Sequence, residues 1–427
     1  MPPDHSPDAA LLLDALRRDG PLTAAELARR FGMSQPTLWR RLNALLPEIT
    51  VLGQGRATRY GVPQPILGWP ARQPMTWVHA DGRAETWGEL QALASGRLHV
   101  AGPGIDLVAD GLPWFLSPLR PQGFLGRLLA QRLAAHGLGT HPEGWTTLQV
   151  LFAALQLPDP PGALRLGMAD SGHILPLDDA RAFDNAAADV AAALPAGSSA
   201  GGEQPKFLGR LPGGEDVLVK FSPPRGTPFG ERWGDLLRAE HLALGVLAEH
   251  GVDVAGSQWM QTPQRSYLVS HRFDRHGPRG RRHVVALDAF HQAFVGGPRQ
   301  NWAASCTALA RQRRVPPEAP SQAQALLQFG RLIGNTDMHF GNLSLWVEPH
   351  DVAPGRGRLA PVYDMLPMRW RPDATTGALD LAPFEPREED LHSAARPLAH
   401  MFWARLAGDP LTGRAFRNLA EQMAQRV

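Results

Sequence analysis

Only two lysines occur among the 427 residues, Lys206 and Lys220; the other 41 basic residues are arginines. An ammonium is a compact point charge, and a planar guanidinium does not replace it where a nucleotide phosphate must be reached. Lys206 closes the turn Gly201-Gly202-Glu203-Gln204-Pro205-Lys206, and Lys220 ends the apolar run Val217-Leu218-Val219. Paired glycines such as Gly201 and Gly202 expose backbone N–H groups suited to phosphate oxygens. A Gly-rich turn followed by a strand bearing a lysine is how a kinase covers and grips ATP. Such a lysine is held by a carboxylate from the next helix. Residues 233–250 read as that helix, with Glu240 as the candidate partner and Asp235 and Glu231 as alternatives.

The rest of a phosphoryl-transfer site follows in order. Gly334-Asn335-Thr336-Asp337-Met338-His339-Phe340-Gly341-Asn342 sets Asp337 and Asn342 at the D-x-x-x-x-N spacing of a kinase catalytic loop. Asp337 would accept a proton from the substrate hydroxyl or orient it, and Asn342 would hold a Mg²⁺ ion. Asp364, in Tyr363-Asp364-Met365, would be the second metal ligand. Residues 343–347 and 359–363 are strand-like and flank a polar Gly/Pro turn, which predicts a hairpin. Its two ends are neighbours in an antiparallel pair, so Asn342 and Asp364 could reach one ion. The helix predicted over 323–333 would support the loop.

Strand-like residues 267–270 lead to His271-Arg272-Phe273-Asp274-Arg275, where a kinase hinge would offer backbone contacts to adenine. We assign His271 and Phe273 to that contact, beside Ser199, Gly201, Gly202, Gln204, Lys206 and Lys220 for the phosphates. His339 and Cys306 read as structural. The Arg-rich stretch 275–283 reads as a solvated loop, with contact to nucleic acid or an acidic substrate as the alternative.

The elements upstream carry a different chemistry. Apolar residues recur at helical spacing through Leu11, Leu12, Ala15 and Leu16 until Gly20-Pro21. Thr23-Ala24-Ala25-Glu26 is a capping box that opens a short second helix. Gly32-Met33 is a turn, and Ser34 is the expected cap of a third helix with an apolar stripe of Leu38, Leu42, Leu45 and Leu46. Strand-like residues around Gly53-Gln54-Gly55 complete a winged helix-turn-helix. The polar side of helix three carries Gln35, Thr37, Arg40, Arg41 and Asn43, with Gln35 and Thr37 placed for base edges. Arg56 and Arg59 on the wing suit phosphates or a minor groove.

A formal charge of only +2 excludes global polyanion binding, so any nucleic-acid surface must be local. The single Cys306 excludes an internal disulfide, and no Cys/His cluster has zinc-ligand spacing. Neither a signal peptide nor an 18-residue apolar run is visible, which predicts a cytoplasmic chain without membrane contact. Residues 63–70 read as a linker, and Asp81-Gly82 as a hairpin turn. Trp69, Trp77, Trp87 and Trp114 read as core.

Residues 199–206, Lys220, 271–275, 334–342 and Tyr363-Asp364 together resemble the HipA-like serine/threonine kinases of bacterial toxin–antitoxin systems, over roughly 63–427. With its N-terminal reader the chain is similar to the YjjJ-like subgroup. The resemblance implies an α+β architecture: a winged helix-turn-helix (1–62), then a bilobal kinase-like domain with an N-terminal lobe (63–272) and a mainly helical C-terminal lobe (273–427). It implies ATP and Mg²⁺ as cofactors and a translation-related protein substrate; HipA-type toxins phosphorylate an aminoacyl-tRNA synthetase. It also implies autophosphorylation of a loop serine that ejects the loop; Ser199 matches, with Ser198 beside it. The loop here reads Gly-Gly-Glu-Gln-Pro-Lys against Gly-Ala-Gln-Glu-Lys in HipA. DNA is the expected partner of 1–62, and a fused reader leaves the need for a separate antitoxin open. Two other readings share these motifs: a transcriptional regulator with a nucleotide-sensing kinase-like domain, and a small-molecule phosphotransferase.

Overall fold

The structure is a computed structural model that describes residues 7–157, 159–167, 174–193, 204–373, 376 and 378–427, the side chains of Pro7 and Arg56 excepted. The chain opens with α1 (Pro7–Asp19), β1 (Leu22–Thr23), α2 (Ala24–Phe31) and α3 (Gln35–Leu45). The Thr23 side chain accepts from the Glu26 N–H, and the Glu26 carboxylate accepts from the Thr23 N–H, so the capping box closes as its spacing predicts. Gly32 ends α2 in the left-handed region (φ +63°). The strands β2 (Thr50–Leu52) and β3 (Arg59–Gly61) join β1 in the order β1-β3-β2, which is the wing. Leu12, Leu16, Leu27, Leu38, Leu42 and Leu45 form the core of this unit. Two expectations hold only in part here. Leu46 lies outside the stripe, exposed just past the helix end. Ser34 is the N-cap residue of α3, in extended backbone, but its side chain makes no cap hydrogen bond; its Oγ meets Thr37 Oγ1 at 3.0 Å.

The next sheet is antiparallel, with order β7-β6-β5-β4-β8. Its strands are β4 (Arg72–Val78), β5 (Ala84–Ala92), β6 (Arg97–Gly102), β7 (Ile105–Asp110) and β8 (Leu164–Leu166). The β4–β5 turn is the one read at Asp81-Gly82, with Gly82 at φ +83°. Trp77 and Trp87 are buried, but Trp69 is exposed. Residues 63–70 are tied down rather than a loose linker: Pro63 bridges to Leu93, and Ile66 is fully buried. The helices α4 (Gly123–Leu133) and α5 (Thr147–Gln156) follow.

After α6 (Ala180–Ala192) come β9 (Lys206–Arg210), β10 (Asp216–Phe221), α7 (Pro228–Glu249), β11 (Ser257–Gln261) and β12 (Ser266–His271). Their sheet runs β11-β12-β10-β9. The strands β13 (Arg275–His276) and β14 (Gly280–Arg281) make a small ribbon. A second, three-stranded sheet contains β15 (His283–Ala286), β16 (Ser344–Val347) and β17 (Arg358–Leu359). The remainder is helical: α8 (Leu287–Phe290), α9 (Trp302–Arg311), α10 (Ala319–Leu332), α11 (Glu388–Leu391), α12 (Arg396–Gly408) and α13 (Arg414–Arg426).

The largest core is continuous from the β4–β8 sheet through α7 to α9, α10, α12 and α13. A smaller one, with Leu177, Phe183, Phe207, Val217 and Tyr267, lies under the β9–β12 sheet. The Arg-rich stretch is solvated only at its tip, 276–279; the side chains of Arg275 and Arg281 are buried in ion pairs. Asp159 pairs with Arg272, Arg275 and Arg281, and Asp274 pairs with Arg272 and Arg275. Gly162 N–H donates to Asp274 at 2.9 Å. Guanidiniums buried this deeply persist only when paired and hydrogen-bonded. The network therefore clamps the 159–162 loop onto the segment after β12. Among the described residues no helix is long and apolar enough to cross a membrane.

Candidate active site

In the antiparallel β9–β10 pair, Lys206 stands opposite Lys220. Lys220 is buried, and its Nζ lies 2.7 and 2.6 Å from the two carboxylate oxygens of Glu240 on α7. The same Nζ lies 2.6 Å from Asp364 Oδ1. The alternatives to Glu240 are engaged elsewhere: Glu231 accepts from the Gly226 N–H, and Asp235 from the Gly413 N–H. Burial alone would lower the Lys220 pKa, but the charges of Asp364 and Glu240 outweigh it and hold the ammonium above its usual range. Burial and the Asp364 charge raise the Glu240 pKa against the pull of Lys220. Asp364 is likewise opposed by burial, yet Lys220 holds it below the usual carboxylate range and so ionised.

The segment read as a catalytic loop begins as α10 ends. Gly334 has φ +75°, and a Cβ there would lie 2.6 Å from the Trp370 ring, so the turn requires glycine. Asn335 then joins two candidate residues. Its Oδ1 accepts from the Asp337 N–H (2.9 Å), and its Nδ2 donates to the Asp364 carbonyl (3.2 Å). Asn335 is not part of the D-x-x-x-x-N spacing; its signal in the sequence is an Asn two residues before the Asp, as in an Asx turn. Asn342 donates from Nδ2 to the Asp337 carbonyl at 2.7 Å, which turns its Oδ1 away from that carbonyl. Tyr363 OH donates to the Gly341 carbonyl (2.6 Å) and lies 2.7 Å from Ser344 Oγ, tying the two ends of the predicted hairpin together. Asp364 itself has φ +53°, a conformation that costs energy for any residue but glycine and is held by these contacts.

The Asp337 side chain is 49% exposed and lines an open surface pocket of about 390 Å³, together with Leu327, Arg331, Asn335 and His339. His339 Nδ1 accepts from the Gly341 N–H at 3.0 Å, while its Nε2 lies 4.0 Å from Asp337. An ionised Asp364 carboxylate and the Asn342 amide oxygen are hard oxygen donors, the kind that Mg²⁺ takes.

Other assigned residues are placed differently. The Gln204 amide donates to the Phe221 carbonyl, at the end of β10. The His271 N–H is spent on the Gly256 carbonyl, so it does not offer itself to a base. The Phe273 ring packs against Trp346 and Tyr363, each at 5.5 Å between centroids. Ser198, Ser199, Gly201 and Gly202 lie outside the described residues.

On the winged unit, Gln35, Arg40, Asn43 and Arg59 are exposed. Thr37 is half-buried, with its hydroxyl on Ser34. Arg41 turns toward α1 and pairs with Asp8 at 3.2 Å, so it does not project from the recognition face. The Arg56 side chain is outside the described set. Trp39, which the sequence reading did not single out, is 63% exposed on α3.

Three family matches tile the chain: an AsnC-type helix-turn-helix domain over 11–46, a YjjJ-like toxin middle domain over 69–175 and a HipA-like C-terminal domain over 198–427. The chain is 36% identical to Toxin YjjJ of Escherichia coli strain K12, with 97% of each chain covered. It is also similar in fold to HipA of Shewanella oneidensis MR-1, solved with HipB and operator DNA. There the TM-score is 0.51 at 17% identity, covering 83% of this chain and 96% of that one.

Proposed function

Because this chain belongs to the YjjJ-like toxins, with a HipA-like C-terminal domain and a DNA-binding helix-turn-helix, we propose that it is an ATP- and Mg²⁺-dependent serine/threonine protein kinase. The observation that carries this reading is the convergence on Lys220. Its ammonium is shared by Glu240 and Asp364, and Asn335 links Asp364 to Asp337.

In this reading Glu240 holds Lys220 where it would meet the α- and β-phosphates of bound ATP. Lys206, across the strand pair, adds a second positive charge from the loop side. Asn342 and Asp364 would hold a Mg²⁺ ion, which would supply neutralisation of charge on the phosphate oxygens. Asp337 accepts the proton of the attacking hydroxyl, or orients that hydroxyl, at the open pocket that it lines. Asp337 is half-exposed, as a residue that meets a protein substrate must be. The substrate class carried over from the family resemblance is a translation-related protein, with an aminoacyl-tRNA synthetase as the first candidate. Ser199 is the proposed autophosphorylation site. A HipB-like antitoxin is a further candidate partner, as in the Shewanella complex, although this chain has its own reader. We divide the chain as reader 1–62, N-terminal lobe 63–272 and C-terminal lobe 273–427, and place it in the cytoplasm.

Intact-mass spectrometry after incubation with Mg-ATP tests the reading. A gain of one phosphate, absent in Asp337→Asn, is the expected result. Nucleotide binding without transfer to this chain or to any protein in a cell extract would instead indicate a nucleotide sensor. Transfer to small molecules alone would indicate a metabolite phosphotransferase.

A further inference from the structure

We infer that Trp39 reads bases, its indole packing on a thymine methyl in the major groove between Gln35 and Asn43. This rests on the DNA-binding reading of the winged unit and names the chemistry that the reader selects.

Exposure is the first observation. Of the twelve tryptophans eight are buried, and Trp114 and Trp259 are half-buried. Only Trp39 and Trp69 are exposed, and Trp39 at 63% is the most exposed large apolar residue described. Among the described residues no ring or guanidinium stacks on it. Trp39 is not among the residues that form or pack against the core of this unit.

Position is the second. Gln35, Trp39 and Asn43 recur every four residues along one exposed stripe of α3, while Leu38, Leu42 and Leu45 face the core. At 1.5 Å per residue they stand about 6 Å apart, close to two base-pair steps. The amides of Gln and Asn match adenine N6 and N7, and the thymine C5 methyl is the apolar group that the major groove presents. An amide–indole–amide stripe therefore fits a run of A·T pairs.

Charge identifies the occupant. Arg40, on the neighbouring stripe, is exposed and has no ion-pair partner among the described residues. Arg59 on β3 is also exposed. The carboxylates of α1 are neutralised within the unit: Asp8 by Arg41, Asp14 by Arg18 and Asp19 by Arg30. The unit thus offers Arg40 and Arg59 to phosphates while the carboxylates of α1 are already paired.

The test uses the full chain and a duplex selected by it from a random 30-base-pair pool. Replacing thymines one at a time by deoxyuridine removes a single methyl. We expect one or two positions at which wild-type affinity falls about three- to tenfold, the effect of one buried methyl. Trp39→Ala should bind the selected duplex more weakly, ignore deoxyuridine at those positions, and keep the wild-type affinity for random duplex. The inference is overturned if Trp39→Ala keeps the deoxyuridine sensitivity, or weakens selected and random duplex alike. It is also overturned if the substitution changes the oligomeric state in sedimentation, which would make the indole a protein contact. A wild-type chain that enriches no duplex removes the DNA-binding reading itself.

Discussion

Lys206 and Lys220 stand directly opposite each other on β9 and β10, so the only two lysine side chains of the protein share one face of one strand pair. Lys220 is enclosed by Glu240 and Asp364, with every contact at 2.6–2.7 Å. A guanidinium is wider than an ammonium and does not fit between two carboxylates at that spacing. An ATP analogue bearing a reactive acyl phosphate should therefore label Lys220 first and Lys206 second, and excess Mg-ATP should protect both. Lys220→Arg should lose about 100-fold or more in phosphoryl transfer, on the scale of removing one donor to a reacting phosphate or oxyanion. Peptide mapping that shows labelling unaffected by ATP would place both lysines outside the nucleotide site.

In the proposed reading Asn335 positions the loop and Asp337 carries the chemistry, and substitutions separate the two. Asp337→Asn keeps the backbone N–H that Asn335 accepts and leaves the Lys220 cluster untouched, so ATP affinity should hold while transfer falls about 10²–10⁴-fold. Asn335→Ala removes both the tether on Asp337 and the bond to the Asp364 carbonyl. It should lower kcat with little change in the KM for ATP, and Asn335→Asp should recover the Asp337 half of the tether. Equal loss of ATP affinity in both variants, read by calorimetry, would mean that the loop serves binding rather than transfer.

The two families of residues were not equally legible in the sequence. Thr23 meets Glu26 across three positions, and Asn342 meets the Asp337 carbonyl across five, so local spacing suffices to read those contacts. Glu240 was accessible because the lysine strand and the next helix must meet. The burial of Arg272, Arg275 and Arg281 was not readable, because their partner Asp159 lies more than a hundred residues away. Arg41 looked like part of a basic face until α1 brought Asp8 to it. His271 looked like a hinge donor, but its N–H closes onto Gly256 in the adjoining chain segment. In each case a long-range pairing decided the role of a polar group whose own neighbours in sequence were neutral on the matter.

Arg40 and Arg41 should therefore behave differently despite being adjacent. Arg40→Ala should weaken binding to any duplex and lower the slope of log affinity against log salt by about one, as expected for a lost phosphate contact. Arg41→Ala removes a partly exposed ion pair with Asp8, which is worth about 1 kcal/mol of stability at most, and should leave the salt slope unchanged. Fluorescence anisotropy over a salt series distinguishes the two. Equal slopes for both variants would put the DNA on the α1 side of α3.

His283 sets a pH dependence for the join between the β4–β8 sheet and the kinase-like region. It is 2% exposed; Nε2 lies 2.8 Å from the Phe115 carbonyl, and Nδ1 lies 3.3 Å from the Ala163 nitrogen. Only a neutral ring, donating from Nε2 and accepting at Nδ1, satisfies both partners. Burial lowers its pKa to about 4, while the unfolded chain protonates near 6.5. The stability that His283 contributes is thus fully present above pH 6.5. It declines as the pH falls, because the unfolded state takes up a proton that the folded state refuses, and it is gone below pH 4. The full difference is about 3 kcal/mol, of which about 2 kcal/mol is lost by pH 5. His283→Gln offers one donor and one acceptor without titrating. It should be less stable than wild type at pH 7.5, and it should lose about 2 kcal/mol less than wild type on going to pH 5 in urea unfolding. Parallel losses in the two proteins would show that another group carries the acid sensitivity.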